Sequence, residues 1–276
     1  MPVSDVESAR RREDVLRELN LHPLWQLRVA ATTKVPAALP AVAAESVPVP
    51  VVRAEQTIAS EIPGADIATP IDVPGWPELK QRVKECSACK LRAGCMQTVF
   101  GMGDEKADWL FVGSWPTEDD ETKGEPFAGQ AGQLLDNMLS AIQLKRESNV
   151  YLANVVKCCG AIKRGPQAEE IAQCAPYLAR QIQLLQPKMI VALGHAAATG
   201  LLGEDREWNS LLGNVHEFRG FSKDGSQQAI PLIITHHPAA LLLSPQNKAQ
   251  AWRDLCLARD AMRNLLSGAA QQATEV

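Results

Sequence analysis

Cys86 and Cys89 form a C-x2-C pair, a spacing that lets one turn of chain offer two thiolates to one metal centre. Cys158 and Cys159 are adjacent, and Cys174 follows sixteen positions after Cys158. Two thiolates from that downstream segment would complete four sulfur ligands. Structural zinc and iron–sulfur clusters both use such a set, and spacing alone does not choose between them. Cys95 and Cys256 stand apart; Cys256, on the inner face of the last predicted helix, reads as a buried thiol. Further groups able to do chemistry fall where predicted strands end, in the strings VGSWP, NVVKCC, ALGH and THHP.

The elements that must position these groups begin near Pro74. PELKQRVKEC, GQLLDNMLSAIQL, EEIAQCAPYLARQIQLLQP, HAAATGLLG and NKAQAWRDLCLARDAMRNLL read as helices. DWLFVG, VYLANVVK, MIVALG and LIITHHP read as buried strands between them. Near-continuous apolar strands alternating with helices predict an α/β fold, a parallel sheet covered on both faces. Ligands of such sheets collect at the carboxyl ends of the strands.

The 276 residues carry a net charge of −4, so bulk charge gives no sign of a nucleic-acid binder. The opening MPVSDVESARRRED has no apolar core, so it does not read as a secretory signal. No apolar run reaches the ~18 residues of a membrane span. A reducing cytoplasm is therefore expected, with cysteines as metal ligands or buried thiols. Composition divides the chain into residues 1–29, a 30–73 linker rich in Ala, Val and Pro, a 74–266 body, and a disordered 267–276 tail.

The strings CSACKLRAGCMQTVFGMGDEKADWLFVG, KGEPFAGQAGQLLDNML, VYLANVVKC, EEIAQCAPYLARQI, IVALG, THHPAALL and AWRDL, in that order, resemble the iron–sulfur family 4 uracil-DNA glycosylases. The resemblance implies a parallel four-stranded sheet between helices. It also implies a 4Fe–4S cluster on Cys86, Cys89, Cys158 and Cys174, with Cys158 taken over Cys159 because it directly follows NVVK. Phe127 matches the ring that stacks on the flipped base, Asn154 the amide that reads uracil, and His237 the histidine that contacts a base oxygen.

Other positions depart from that family. Its first motif reads GEAPG, and here Gly113-Ser114-Trp115-Pro116-Thr117 stands in its place. Ser114 supplies no carboxylate, Trp115 brings a large ring to a pocket wall, and Thr117 replaces a glycine. Leu243 stands where a basic residue follows the histidine motif, and Gly160-Ala161-Ile162 where the family has an Arg and prolines. Glu118, Asp119, Asp120 and Glu121 read as a solvated acidic loop, and His195 and His216 as structural or exposed. These departures predict a vestigial pocket of Ser114, Phe127, Asn154 and His237 with no catalytic residue.

RREDVLRELNLHPLWQLR resembles the N-terminus of the psi subunit of the bacterial DNA polymerase III clamp loader. An amphipathic helix too short to be stable alone gains order on a partner, and Trp and Arg are hot-spot residue types. Leu19, Leu21, Trp25, Leu27 and Arg28 would bind the clamp-loader collar. The body would bind the chi subunit and so reach single-stranded-DNA-binding protein, with weak DNA contact and no membrane. The leading expectation is therefore a non-catalytic clamp-loader accessory subunit with an iron–sulfur body. The alternative is an iron–sulfur uracil-DNA glycosylase of base excision repair.

Overall fold

The computed structural model describes residues 72, 75–160, 164–221 and 226–274. The partner-binding residues Leu19, Leu21, Trp25, Leu27 and Arg28 lie outside the described residues, as does the linker apart from Asp72. In chain order the elements are α1 (Trp76–Lys84), β1 (Met102–Gly103), β2 (Trp109–Gly113), α2 (Glu118–Lys123), α3 (Gln130–Ala141), β3 (Val150–Asn154), α4 (Ala168–Leu185), β4 (Met189–Leu193), α5 (His195–Leu202), α6 (Trp208–Leu211), β5 (Val215–Phe221), β6 (Gln227–Thr235), α7 (Pro238–Leu243) and α8 (Lys248–Thr274).

The four expected strands are present as β2, β3, β4 and β6, and they run parallel in the order β3-β2-β4-β6. The sheet is nonetheless six-stranded and mixed, which corrects the expectation of a purely parallel four-stranded one. β1 pairs antiparallel with β3 at one edge, and β5 pairs antiparallel with β6 at the other. The last helix also runs to Thr274, past the body's expected end at 266.

Alternation along the strands divides the core into two layers. Leu110, Val112, Tyr151, Ala153, Ile190 and Ala192 point to one face, where Leu178 and Ile182 of α4 and Ala197 and Leu201 of α5 cover them. Phe111, Val150, Leu152, Val191 and Ile233 point to the other, under Leu135 and Leu139 of α3 and Leu255, Ala258 and Met262 of α8. Both faces of the central strands are buried, so their sequences read as unbroken apolar runs. Among the described residues, no helix is long and apolar enough to cross a membrane.

One buried charge ties the outer elements together. Asp254 on α8 is fully buried, and its Oδ1 accepts from the Gly213 amide (3.0 Å) and from Gln250 Nε2 (2.8 Å). Gly213, at φ +71°, turns the chain into β5, so this carboxylate fastens the start of the edge strand to α8. Asp254→Ala removes both of these bonds to a charged acceptor and should lower the unfolding free energy by about 1–3 kcal/mol. The measurement is a reduced urea midpoint at unchanged slope. Asp254→Asn keeps an acceptor oxygen and should lose less.

Candidate functional site

The parallel register builds the site. Gly113, the last residue of β2, lies opposite Asn154, the last residue of β3. The pairing continues beyond both strands, as Val155 donates to the Gly113 carbonyl (2.9 Å) and Val156 to that of Ser114 (3.2 Å). A β-carbon at Gly113 would stand 2.4 Å from Asn154 Oδ1 and 2.5 Å from Phe127 Cζ, so the amide and the ring both occupy the space a side chain would take. Just past the next strand, β4, Gly194 has φ +91° and approaches Ser114 and His237; a β-carbon there would lie 3.0 Å from His237 Cβ and 3.7 Å from Ser114 Oγ. The rings of Phe127 and His237 stack at 5.7 Å with planes 30° apart. Ser114, Phe127, Asn154 and His237, far apart in sequence, thus meet at the carboxyl ends of the sheet.

His237 has a defined proton. It caps the N-terminus of α7, where its Nδ1 accepts from the Ala239 amide (3.2 Å). The ring's remaining hydrogen must then sit on Nε2, which makes it a neutral donor. Burial pushes its pKa down to about 4, against an opposing pull from Asp120. Asn154 is buried and offers both a donor and an acceptor.

The acidic segment is not the solvated loop its composition suggests. It forms α2, with Asp120 and Glu121 buried. Thr117 is the N-cap: its Oγ1 accepts from the Asp120 amide (3.3 Å), while Asp120 Oδ2 accepts from the Thr117 amide (2.9 Å). Asp120 Oδ1 accepts from the amide of Ala128 (2.6 Å), and Glu121 Oε1 from that of Met96 (2.9 Å). Both carboxylates are committed to backbone, so neither replaces an acid at position 114. The exposed Thr117 closes a helix cap. Trp115, 39% exposed, lies across Gly165, where a β-carbon would meet its ring at 3.5 Å. The atoms nearest Gly113 and Gly194 belong instead to Asn154, Phe127, His237 and Ser114. Leu243 is exposed. His195 Nε2 lies 3.1 Å from Asp205 Oδ1, and His216 Nε2 2.8 Å from the Leu211 carbonyl, both structural contacts.

Behind the site, Cys86, Cys89, Cys158 and Cys174 line one narrow cleft, together with Lys157 and Tyr177. Among the described residues, no three His, Cys, Asp or Glu side chains converge closely enough to hold a single metal ion. An all-thiol set is the ligand chemistry of structural zinc and of iron–sulfur clusters alike. Burial pushes the Cys174 thiol up to about 11, with Lys157 opposing. Cys158 is held well above the usual thiol range by its hydrogen bond to Cys95 and by burial. Cys95, expected to stand apart, is thus a neighbour of this group. Cys159 is outside the cleft lining, and its thiol is raised by burial and by Glu121.

Sequence reasoning passed over Lys157, although it stands in the NVVK string. Its fully buried Nζ donates to the Asn154 carbonyl (2.7 Å) and to Gln181 Oε1 (2.6 Å), and Gln181 Nε2 donates on to the Phe100 carbonyl (2.9 Å). Burial pushes its pKa down to about 8, with Cys174 opposing. This cation links the thiol cleft to the backbone of Asn154.

Comparison with known proteins agrees with the body's geometry. The family profile of the Uracil DNA glycosylase superfamily matches residues 100–257. The chain is similar to the type-4 uracil-DNA glycosylase of Archaeoglobus fulgidus, 38% identical over 173 residues, which span 61% of this chain and 84% of that protein. It is similar to the type-4 enzyme of Pyrobaculum aerophilum at 35% over 186 residues, 65% of this chain and 91% of that one. The type-4 enzyme of Thermotoga maritima matches at 36% over 171 residues, 62% and 84%. Relatives of this kind overturn the leading expectation: the clamp-loader subunit, its replication role, and its collar and chi partners are corrected in favour of the uracil-DNA glycosylase superfamily.

The depressed pKa of His237 has a measurable consequence. Its folded value of about 4 lies below the usual value of about 6.5, so between these the unfolded chain binds more protons than the fold. Stability owed to the neutral ring is complete above about pH 6.5 and falls as pH drops from 6.5 towards 4. A ring-carbon NMR titration of the full chain should show His237 neutral down to about pH 5. A midpoint near 6.5 would contradict this.

Proposed function

This chain belongs to the uracil-DNA glycosylase superfamily, and on that premise we propose that it hydrolyses the N-glycosidic bond of deoxyuridine in DNA, as a repair enzyme. The observation that carries the reading is the convergence of Phe127, Asn154 and His237 around Gly113 and Gly194 at the carboxyl ends of the sheet. A uracil turned out of the stack presents two carbonyl oxygens and one N3–H. The Phe127 ring stacks on its face. The amide of Asn154 meets its acceptor-and-donor edge, and Nε2–H of His237 donates to a carbonyl oxygen. In the reaction the C1′–N1 bond breaks and its electron pair leaves with uracil as an anion spread over N1, O2 and O4. Water adds to C1′ and loses its proton to solvent. Fixed donors at the oxygens that gain charge lower the barrier to bond breaking. With Nδ1 taken by the Ala239 amide, a neutral His237 keeps Nε2–H available as such a donor.

Ser114 stands beside His237 against Gly194, and its hydroxyl can orient a water but cannot take its proton at neutral pH. The reading therefore places most of the rate enhancement on the departing base and little on activation of water. Uracil release from a uracil-containing oligonucleotide, followed in single turnover, is the test. His237→Ala and Asn154→Ala should each slow release by about 10²–10³-fold, and Ser114→Ala by much less. The absence of any uracil release by the full, cluster-loaded chain would refute the reading.

The same reading assigns a 4Fe–4S cluster to Cys86, Cys89, Cys158 and Cys174, supported by the all-thiol cleft and the type-4 relatives. Bound there, the cluster would supply a covalent staple between the segment after α1, the loop after β3 and α4. Lys157, between this cleft and Asn154, would offset part of the negative charge of four thiolates. Cys86→Ser and Cys174→Ser should lose iron, sulfide and visible absorbance and lower the melting temperature, whereas Cys256→Ser should keep all three. Stoichiometric zinc without iron or sulfide in anaerobically prepared protein would overturn the assignment.

A further inference from the structure

We propose that Arg146 is a positioning residue that holds the base-stacking ring of Phe127 in place; the proposal rests on the reading that Phe127 stacks on uracil. Phe127 has φ +58°, in the left-handed region that a bulky aromatic residue rarely adopts and that costs free energy unless neighbours enforce it. The neighbours here are specific. Arg146 Nη1 donates to the Pro126 carbonyl at 3.1 Å, and Nη2 to the Phe127 carbonyl at 3.2 Å and, at a longer 3.5 Å, to that of Gly132. Its Nε donates to Asp136 Oδ1 at 2.8 Å, which fixes the plane of the guanidinium.

On the other side of the same turn, Asp120 Oδ1 takes the amide of Ala128 at 2.6 Å. The turn is thus held from its carbonyls by a cation and from its amide by an anion. Its seat on α3 is close: a β-carbon on Gly132 would lie 1.7 Å from the Phe127 carbonyl oxygen. Arg146 comes from the link between α3 and β3, where Gln143, Glu147 and Asn149 also have positive φ and Lys145 bridges to Ser148. The planar fork of an arginine reaches two successive carbonyls at once, which a lysine ammonium does not reproduce.

Arg146→Ala should slow single-turnover uracil release about tenfold or more, while affinity for the same strand carrying an abasic site stays within about twofold. Combined with Phe127→Ala, it should add little, because both changes remove one stacking ring. Multiplying losses in the double variant, or full rate in Arg146→Lys, would overturn the proposal. A second arm needs no catalysis. In urea unfolding, Arg146→Ala should lower the midpoint less in the native background, where freeing the turn also releases the strain of its positive φ, than in a Phe127→Gly background, where there is no strain to release. Equal shifts in the two backgrounds would refute the clamp. If the native chain releases no uracil, the glycosylase reading fails, and this second arm still decides whether Arg146 clamps the turn.

Discussion

At the end of β2 the chain has no β-carbon, and the space that atom would fill is taken by the amide of Asn154 and the edge of Phe127. That close approach is the constraint on which the rest of the site depends. It requires β2 and β3 to pair in the register that sets Gly113 opposite Asn154. A shift by one residue would turn Asn154 to the other face and bring a strand side chain into the gap. The register is secured far from the site, by two apolar layers that would both be inverted by the same slip. Packing of the core thus fixes the position of a polar amide at its rim.

Three buried or half-buried charges then fix what the strands alone leave free. Lys157 holds the Asn154 carbonyl, Asp120 the amide of Ala128, and Arg146 the carbonyls of Pro126 and Phe127. Each charge ends on backbone of the segment whose side chain faces the site. Taking a charge out of water is costly, and such groups persist where hydrogen bonds compensate them. A hydrophobic substitute would pack as well but would leave the turn and the strand end free to choose among conformations.

The central strands were legible because burial on both faces writes an unbroken apolar run into the sequence. β5 was not legible: Phe218 is buried between the exposed Glu217 and Arg219, a half-polar pattern that reads equally as loop. β1 has two residues and no periodicity to detect. Phe127, Asn154 and His237 were legible as candidates through motif resemblance, but their meeting depends on glycine gaps that spacing does not reveal. The acidic run of α2 was misread because charge density resembles a solvated face, whereas Asp120 and Glu121 are turned inward to accept amides. Lys157 and Arg146 escaped notice because a cation bonded to carbonyls leaves no pattern along the chain. The clamp-loader expectation gave a peptide of fewer than twenty residues more weight than the body, where the related proteins named above match over 171 to 186 residues.

The serine at position 114 bears on how such a site can work at all. Breaking the C1′–N1 bond creates two charges, a cation on the sugar and an anion on the base. An acidic residue would act on the sugar and water side. On the proposed reading, this chain's donors, Nε2–H of His237 and the amide of Asn154, would act on the base side. The buried carboxylate of Asp120, whose charge is felt by His237, has each oxygen accepting a backbone amide, and moving it towards a water would undo the cap of α2 and release the Phe127 turn. Stabilising the leaving group is therefore the course these residues leave open. Once that bond has broken, the sugar cation reacts with water without much help from a base, so on the proposed reading the missing carboxylate would slow the reaction without removing its chemical basis.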